Sequence, residues 1–209
     1  MVKYIRGDFV LLLFLVFGYL VGSVSWGLII GKLFFHKDIR HYGSGNLGGT
    51  NAGRVLGLYY GFLVIFLDAL KAFLVVYFVA LYNKDFAVLA GMMCAIGHCY
   101  PLFADFKGGK AVASTFGYLL AIGLFVTNDH IMFITAVITF FITLLSTSIV
   151  SLSSLIAISS ATLMSLFQPS LETGLCMLTL SILIMYRHRS NIKRIINHQE
   201  SKIKIFNKE

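Results

Sequence analysis

The chain has 209 residues, of which 58% are hydrophobic and only 12% are charged, and its formal net charge is +8. Soluble domains contain roughly 45–50% apolar and about 25% charged residues, so this composition excludes an ordinary soluble protein and predicts an integral membrane protein. The positive charge does not indicate a nucleic-acid partner, because no platform of aromatic and basic residues lies outside the apolar segments. Basic loops and attraction to anionic lipid account for it.

Apolar segments long enough to cross a bilayer follow one another along the chain. A spanning helix needs about 20 mainly apolar residues, and within lipid the backbone must satisfy its own hydrogen bonds. The predicted fold is therefore all-α, with one integral membrane domain of about seven spans over residues 1–209. The predicted spans are residues 9–30, 55–82, 86–104 and 111–126, two within 131–171 that turn at the serine-rich residues 146–154, and a seventh from after Pro169 to Tyr186.

Basic residues set the expected orientation, since lysine and arginine accumulate on the cytoplasmic side of a membrane. With seven spans, one side holds thirteen basic residues and the other holds three, which places the N-terminus outside and the C-terminus in the cytoplasm, with a basic tail at about residues 187–209. The thirteen are Lys32, Lys37, Arg40, Arg54, Lys107, Lys110, Arg187, Arg189, Lys193, Arg194, Lys202, Lys204 and Lys208, and the three are Lys3, Arg6 and Lys84.

Three polar segments interrupt the apolar chain, and all three are expected on the cytoplasmic side. The first polar segment, residues 43–54, formally fits the G-x-G-x-x-G pattern of dinucleotide-binding folds, but no strand precedes it and the spaced acid, Asp68, lies in an apolar run. Its glycines let backbone amides face an anion, and Arg54 can grip phosphate oxygens with two N–H groups. The alternative is a flexible loop whose arginine only sets topology. The candidate ligands are Gly43, Ser44, Gly45, Asn46, Thr50, Asn51 and Arg54.

The second polar segment is Lys107-Gly108-Gly109-Lys110, directly before a predicted helix. Paired glycines permit close approach of a ligand to the backbone, and amides at a helix start favour negative charge. Lys110 adds a full positive charge beside them. Topology alone could require these lysines, but their position with the other polar segments favours anion binding.

The third polar segment, residues 187–194, follows the last predicted span. A basic tail at this place is the commonest topological anchor and accounts for most of residues 193–208. His188 and Asn191 are three residues apart, which predicts a shared helical face offering a switchable donor-acceptor and an amide to one ligand. Ser151 and Ser154 have the same spacing, and they either line the same cavity or pack as ordinary serines of membrane helices.

Asp68 and Lys71 lie inside a predicted span, where an unpaired charge costs about 2.5–3.5 kcal/mol. Their spacing predicts a structural ion pair that ties this helix to the bundle, with substrate lining as the alternative. Partner groups are not evident for His36, His41, His98, His130 and His198. Because Cys94, Cys99 and Cys176 are predicted to be buried packing residues, we expect no disulfide, no metal site and no cofactor.

A set of motifs in fixed order runs from about residue 18 to residue 203 and is highly specific in combination. The motifs are Gly43-Ser44-Gly45-Asn46 with Thr50, Asn51 and Arg54; Leu67-Asp68-Ala69-Leu70-Lys71; Gly97-His98 with Pro101; Phe106-Lys107-Gly108-Gly109-Lys110 with Val112-Ala113; Val150-Ser151-Leu152 with Ser154; and Arg187-His188 with Asn191-Ile192-Lys193-Arg194. This set resembles the bacterial acyl-phosphate-dependent glycerol-3-phosphate acyltransferases.

The resemblance implies a seven-helix enzyme of the bacterial inner membrane, multi-pass, with its active site facing the cytoplasm and no obligate protein partner. Such an enzyme transfers an acyl group from acyl phosphate to the 1-hydroxyl of glycerol 3-phosphate, giving lysophosphatidic acid and phosphate. Catalytic roles fall to Arg54, Lys110 and His188, the last as a positioning group or a base. The implied substrate-binding residues are Ser44, Arg54, Lys110, Ser154, His188, Asn191, Gly43, Gly45, Asn46, Thr50, Asn51, Lys107, Gly108 and Gly109.

The chain departs from the family pattern at a few positions. Ala72 and Ala111 stand where the family usually has glycine, and Gly49 stands where it usually has alanine.

The alternative function is a transporter for a phosphorylated solute, which Asp68 and Lys71 within the membrane would fit. Against a transporter, the polar groups concentrate at one surface, whereas transport needs a midplane site reachable from both sides.

Overall fold

The computed structural model describes residues 2–203, with side chains from residue 8 onward, and within that part every regular element is a helix, as predicted. The basic side chains of Lys3, Arg6, Lys204 and Lys208, which entered the orientation count, lie outside the described side chains. The chain divides into two compact units, Met1–Asn128 and Asp129–Glu209. The single membrane domain stays a prediction.

Unit 1 contains six α-helices among its described residues, and unit 2 contains four. In unit 1 these are α1 (Val2–Gly22), α2 (Trp26–Phe35), α3 (Gly49–Leu56), α4 (Leu58–Ala80), α5 (Lys84–Cys99) and α6 (Val112–Ile122), with 3-10 turns at Ile39–His41 and Leu102–Ala104 and a π-helical end at Gly123–Thr127. In unit 2 they are α7 (Ile131–Thr147), α8 (Val150–Ser165), α9 (Leu171–Arg187) and α10 (Arg189–Ile196).

Three of the described helical segments are long and apolar enough to cross a bilayer: Asp8–Phe35, Leu58–Ala80 and Lys84–Ala104. The apolar helical segments Val112–Thr127, Ile131–Thr147 and Val150–Ser165 are shorter. Large apolar side chains on the outside of these helices are exposed, such as Phe62 at 69% and Phe141 at 54%. That exposure suits lipid contact, because lipid tails are as apolar as the side chains themselves.

Two predicted spans are interrupted in the structure. The predicted first helix, residues 9–30, breaks at residues 23–25 between α1 and α2, and the predicted second helix starts inside α3 and breaks at Gly57. Gly57 has a φ of +101°, which a residue with a side chain rarely adopts. The turn after α7 is at Ser148 and Ile149. Ser151 and Ser154 therefore lie within α8, which corrects the prediction that the turn extends over residues 146–154.

Close packing of backbones holds α1 against α5. A Cβ atom added to Gly18 would overlap the carbonyl oxygen of Ala90, and one added to Gly22 would overlap that of Cys94. Small residues spaced four apart allow this approach in membrane helices, where there is no hydrophobic force between helices to replace it. Cys94, Cys99 and Cys176 are buried, as predicted.

The predicted ion pair inside α4 is confirmed. Lys71 Nζ lies 2.9 Å from Asp68 Oδ1, and both side chains are buried. The same ammonium group donates hydrogen bonds to the carbonyl oxygens of Gly22 at 3.0 Å and Val24 at 2.8 Å. Because those carbonyls lie where the helical hydrogen bonds of α1 stop, Lys71 satisfies backbone groups that the interruption leaves without helical partners.

His98 joins this pair, which corrects the expectation that it has no partner groups. Its Nδ1 lies 3.1 Å from Lys71 Nζ and 3.3 Å from Asp68 Oδ1. We call Asp68, Lys71 and His98 the ion cluster. Removing one partner of a buried ion pair commonly costs about 3–5 kcal/mol, because the other charge is left uncompensated. The cluster therefore fixes α4, α5 and the junction of α1 with α2 in one arrangement.

Candidate functional site

The first polar segment is folded around the side chain of Asn51, which is buried at 1% exposure. Its Oδ1 accepts a hydrogen bond from the backbone N–H of Ser44 at 2.8 Å. Its Nδ2 donates to the carbonyl oxygens of Ile39 at 3.0 Å and Tyr42 at 3.2 Å. Gly43, at φ +59°, passes so close that a Cβ would overlap Asn51 Oδ1. Asn51 is thus the internal support of the loop.

Most of the other polar side chains of this segment are exposed. Ser44, Thr50 and Arg54 are exposed, and Asn46 is half-buried with its Oδ1 accepting the N–H of Gly48 at 2.9 Å. Arg54 lies in the last turn of α3, a short helix whose Gly53 packs against Gly61 of α4. The segment therefore presents a hydroxyl pair and a guanidinium on a scaffold that α4 holds in place.

The second polar segment rests on the end of α5. The N–H of Gly109 donates to the carbonyl oxygen of His98 at 3.0 Å, and neither glycine has room for a side chain. A Cβ on Gly108 would overlap that same carbonyl oxygen, and a Cβ on Gly109 would overlap the His98 ring. Lys107 is exposed and Lys110 is half-buried, so the two cations flank a closely packed pair of glycines.

Backbone strain surrounds the second polar segment. Asp105, Phe106 and Ala111 all have positive φ values of 54–59° although none of them is glycine. This left-handed conformation costs roughly 1–2 kcal/mol for a residue with a Cβ. Ala111 is fully buried, and it stands at one of the positions where the resemblance leads us to expect glycine. The fold keeps the required turn there with a less suitable residue.

Arg40 joins the two polar segments within unit 1. Its guanidinium binds Asp38, with Nη2 2.8 Å from Oδ2, and donates from Nη1 to Asp105 Oδ2 at 3.0 Å and to the carbonyl oxygen of Ala104 at 3.3 Å. Hydrogen bonds from Arg40 lower the pKa of Asp38 to about 2, so this carboxylate stays ionised at neutral pH. Asp38 and Arg40 precede the first segment and Asp105 precedes the second, so Arg40 ties together the stretches of chain from which the two segments start.

In unit 2, His188 lies at the junction between α9 and α10 and is 2% exposed. Its Nδ1 is 2.8 Å from the carbonyl oxygen of Ile184. A carbonyl oxygen only accepts, so Nδ1 carries the proton of this contact, and in the neutral ring Nε2 is then the acceptor. The backbone departs from helical geometry at His188, where ψ is 5°, but the N–H of Ile192 donates to the carbonyl oxygen of His188, so α10 starts directly on this residue. The shared face with Asn191 stays a prediction.

Asn191 and Ser151 meet at a carboxylate that the sequence did not single out. Asn191 Nδ2 donates to Glu200 Oε1 at 2.6 Å, Ser151 Oγ donates to the same oxygen at 2.8 Å, and Arg194 Nε donates to Oε2 at 2.7 Å. Burial raises the pKa of Glu200, but these hydrogen bonds outweigh it and leave that pKa lower than usual. Ser154, also buried, donates its proton to the carbonyl oxygen of Val150.

Sequence reasoning missed Arg40, His98 and Glu200. Each has a contact with a residue far along the chain, which is Asp105 for Arg40, Lys71 for His98 and Ser151 for Glu200, and local spacing does not reveal such contacts. Arg40 was counted only among the basic residues that set topology. Within the part of the chain that the structure describes, no group of three His, Cys, Asp or Glu side chains is placed to hold a metal ion.

Comparison with known proteins gives a consistent result. The family model described as glycerol-3-phosphate acyltransferase matches residues 12–198. Among curated relatives, the glycerol-3-phosphate acyltransferase of Staphylococcus haemolyticus is 41% identical over 200 residues, covering 91% of this chain and 96% of its own length. That of Bacillus subtilis is 44% identical over 193 residues, covering 92% of this chain and 97% of its own length.

Solved structures agree with the sequence relatives. The chain is similar to a crystal structure of PlsY, an integral membrane glycerol 3-phosphate acyltransferase, in its glycerol 3-phosphate form, with a TM-score of 0.85 and 34% identity over 92% of this chain and 95% of that one. The lysophosphatidic acid form of PlsY gives a TM-score of 0.82 and 32% identity with the same coverage.

Proposed function

The chain belongs to the glycerol-3-phosphate acyltransferase family, and we propose that it takes its acyl group from an acyl phosphate and transfers it to the 1-hydroxyl of glycerol 3-phosphate. The products are lysophosphatidic acid and inorganic phosphate. The observation that carries the site assignment is the pair of glycine-rich polar segments that Arg40 joins in unit 1. The transporter hypothesis has no support in the family assignment.

An acyl phosphate suits the residues of the site. Its phosphate is already a good leaving group, so catalysis can rest on alignment of the reactants and on neutralising negative charge. The glycerol hydroxyl oxygen bonds to the acyl carbon, the bond from that carbon to the phosphate oxygen breaks, and the hydroxyl proton passes to a substrate phosphate. A nucleophilic side chain is not required in this scheme.

We assign the substrate phosphates to hydrogen-bond donors of the two polar segments in unit 1. Arg54 offers a planar fork that matches two phosphate oxygens, and Lys110 offers a point charge next to the backbone of Gly108 and Gly109. Ser44 and Thr50 add neutral hydroxyl donors. In this scheme Asn51 acts through the loop that it supports, and Lys107 strengthens the positive field.

We further propose substrate-binding roles for His188, Asn191 and Ser154, whose surroundings are described within unit 2 alone. The Nδ1 contact of His188 with Ile184 orients the ring, which suits a group that positions the attacking hydroxyl. Glu200 orients the amide of Asn191 in the same way. A serine hydroxyl can also accept a hydrogen bond while it donates to its own helix, as Ser154 does.

The topology follows from the same scheme. We propose seven spans in the bacterial inner membrane, with the N-terminus outside and the polar segments in the cytoplasm, where glycerol 3-phosphate is dissolved. The acyl chain of the donor then stays among lipid tails while its phosphate meets the cations at the membrane surface. We propose that the chain acts as one integral membrane domain, without an obligate protein partner.

The proposed reaction predicts a donor requirement. Purified protein mixed with acyl phosphate and glycerol 3-phosphate should release lysophosphatidic acid and phosphate in equal amounts, because one acyl transfer frees one phosphate. Acyl coenzyme A supplied in place of acyl phosphate should give no product above background. Mass spectrometry of the lipid and a colorimetric phosphate assay measure both quantities. Product from acyl coenzyme A at a comparable rate would refute the acyl-phosphate assignment.

The phosphate assignment predicts that Arg54→Ala and Lys110→Ala each lower kcat/KM by about 100-fold or more, since loss of one donor to a developing charge costs about 100–1,000-fold. Both variants should elute as folded protein in detergent with a melting temperature close to that of the parent. The matched control is Lys84→Ala, an exposed lysine at the start of α5 that is expected on the other side of the membrane. Near-normal turnover of both site variants would remove the proposed phosphate clamp.

The role proposed for His188 is tested by His188→Gln. Glutamine can position a hydroxyl through its amide but cannot act as a base near neutral pH, so a positioning role predicts a modest residual activity. The measurement is kcat of the folded variant with and without added imidazole. Complete loss of activity, restored by imidazole, would instead identify His188 as the general base.

A further inference from the structure

We propose that His98 is a positioning residue whose imidazole edge sets the location of the second polar segment. The proposal rests on the function proposed above, because the location of Lys107 and Lys110 affects turnover only if this segment binds substrate phosphate. His98 itself touches no reacting group in this scheme. It acts through Gly109, which is the neighbour of Lys110 in the chain.

One edge of the His98 ring lies against Gly109. The three atoms nearest to a Cβ added at Gly109 all belong to this ring: it would overlap Nε2, and it would lie 2.8 Å from Cε1 and 2.9 Å from Cδ2. The carbonyl oxygen of His98 also accepts the N–H of Gly109 at 3.0 Å. His98 therefore holds this glycine through both its side chain and its backbone.

The opposite edge of the ring is held by the ion cluster. Nδ1 lies 3.1 Å from Lys71 Nζ and 3.3 Å from Asp68 Oδ1, and the His98 side chain is only 7% exposed. Lys71 is itself held by the carbonyl oxygens of Gly22 and Val24. Because moving the ring away from Gly109 would disturb a buried ion pair, the ring is a rigid stop for the loop.

A rigid stop matters because small displacements of a binding group have large kinetic effects. A misplacement of about 1 Å can lower the rate roughly 100-fold. Lys110 follows Gly109 directly, so a change in the ring or in Gly109 moves the lysine. A Cβ is then excluded at Gly109 by the His98 ring, whereas at Gly108 it is excluded by backbone carbonyl oxygens and Pro101.

Gly108 provides the matched control. A Cβ at Gly108 would overlap the carbonyl oxygen of His98, lie 2.7 Å from the carbonyl oxygen of Cys99, and overlap the ring of Pro101. None of these atoms belongs to the His98 side chain. A change of that side chain can therefore relieve a clash at Gly109 but not a clash at Gly108.

The test is a double-mutant cycle on kcat/KM between residue 98 and each glycine. His98→Asn keeps a polar atom near the Nδ1 position and removes Nε2 and Cε1. We expect it to lower kcat/KM about tenfold, and Gly109→Ala alone to lower it about 100-fold. In the His98→Asn protein, Gly109→Ala should cost no more than about a further twofold, while Gly108→Ala should cost the same factor in both backgrounds.

His98→Gln is the conservative variant, since its amide reaches the Nε2 position. It should keep kcat/KM within about threefold of the parent and leave the full cost of Gly109→Ala in place. A Gly109→Ala cost that is equal in the parent, His98→Asn and His98→Gln proteins would overturn the proposal. A His98→Gln variant that folds but is as impaired as His98→Asn would do the same.

The cycle does not depend on which acyl donor is correct. If acyl phosphate fails as donor, the cycle is measured with the donor that supports turnover, and the ratios still decide the role of His98. If Lys110→Ala is harmless while the cycle shows coupling, the phosphate assignment fails and the packing relation between His98 and Gly109 stands. Melting temperatures of all variants in detergent show that only folded proteins are compared.

Discussion

A buried ion pair inside a membrane helix is the constraint from which the arrangement of unit 1 follows. Asp68 and Lys71 must be paired because an uncompensated charge within lipid is costly. The pair also connects neighbouring helices. Lys71 donates hydrogen bonds to the carbonyl groups at the interruption of α1, and His98 links the pair to α5. One charged contact thereby fixes three helical segments and, through Gly109, the second polar segment.

The two polar segments of unit 1 are stabilised by different interactions. In the first, Asn51 supplies the hydrogen bonds that a loop lacks, while Ser44, Thr50 and Arg54 of the same segment are exposed. In the second, close packing of Gly108 and Gly109 on the end of α5 replaces a hydrogen-bonding side chain. Arg40 hydrogen-bonds to Ala104 and Asp105, so it links the stretch of chain before the first segment to the stretch before the second.

The sequence was sufficient for the membrane class, the all-helical fold, the buried cysteines and the Asp68–Lys71 pair, because composition and local spacing carry that information. It did not predict the interruption of α1: Gly22, Ser23 and Ser25 lie there but also occur within membrane helices, and the stabilising group, Lys71, lies 47 residues beyond Val24. The contact of His98 with Lys71 and that of Glu200 with Ser151 also join residues far apart in the chain, so local spacing does not predict them. The break between α9 and α10 at His188 was not predicted either, because no residue pattern there signals a helix end.

We propose that the polar segments face the cytoplasm, where their cations meet phosphorylated substrates. The most direct measurement is labelling of single added cysteines by a membrane-impermeant maleimide in intact and in opened cells; the native cysteines are buried. The account predicts that Ser44→Cys, Lys107→Cys and Ser190→Cys react only after the cells are opened, and that Lys84→Cys reacts in intact cells. Reaction of any of the first three in intact cells would contradict it.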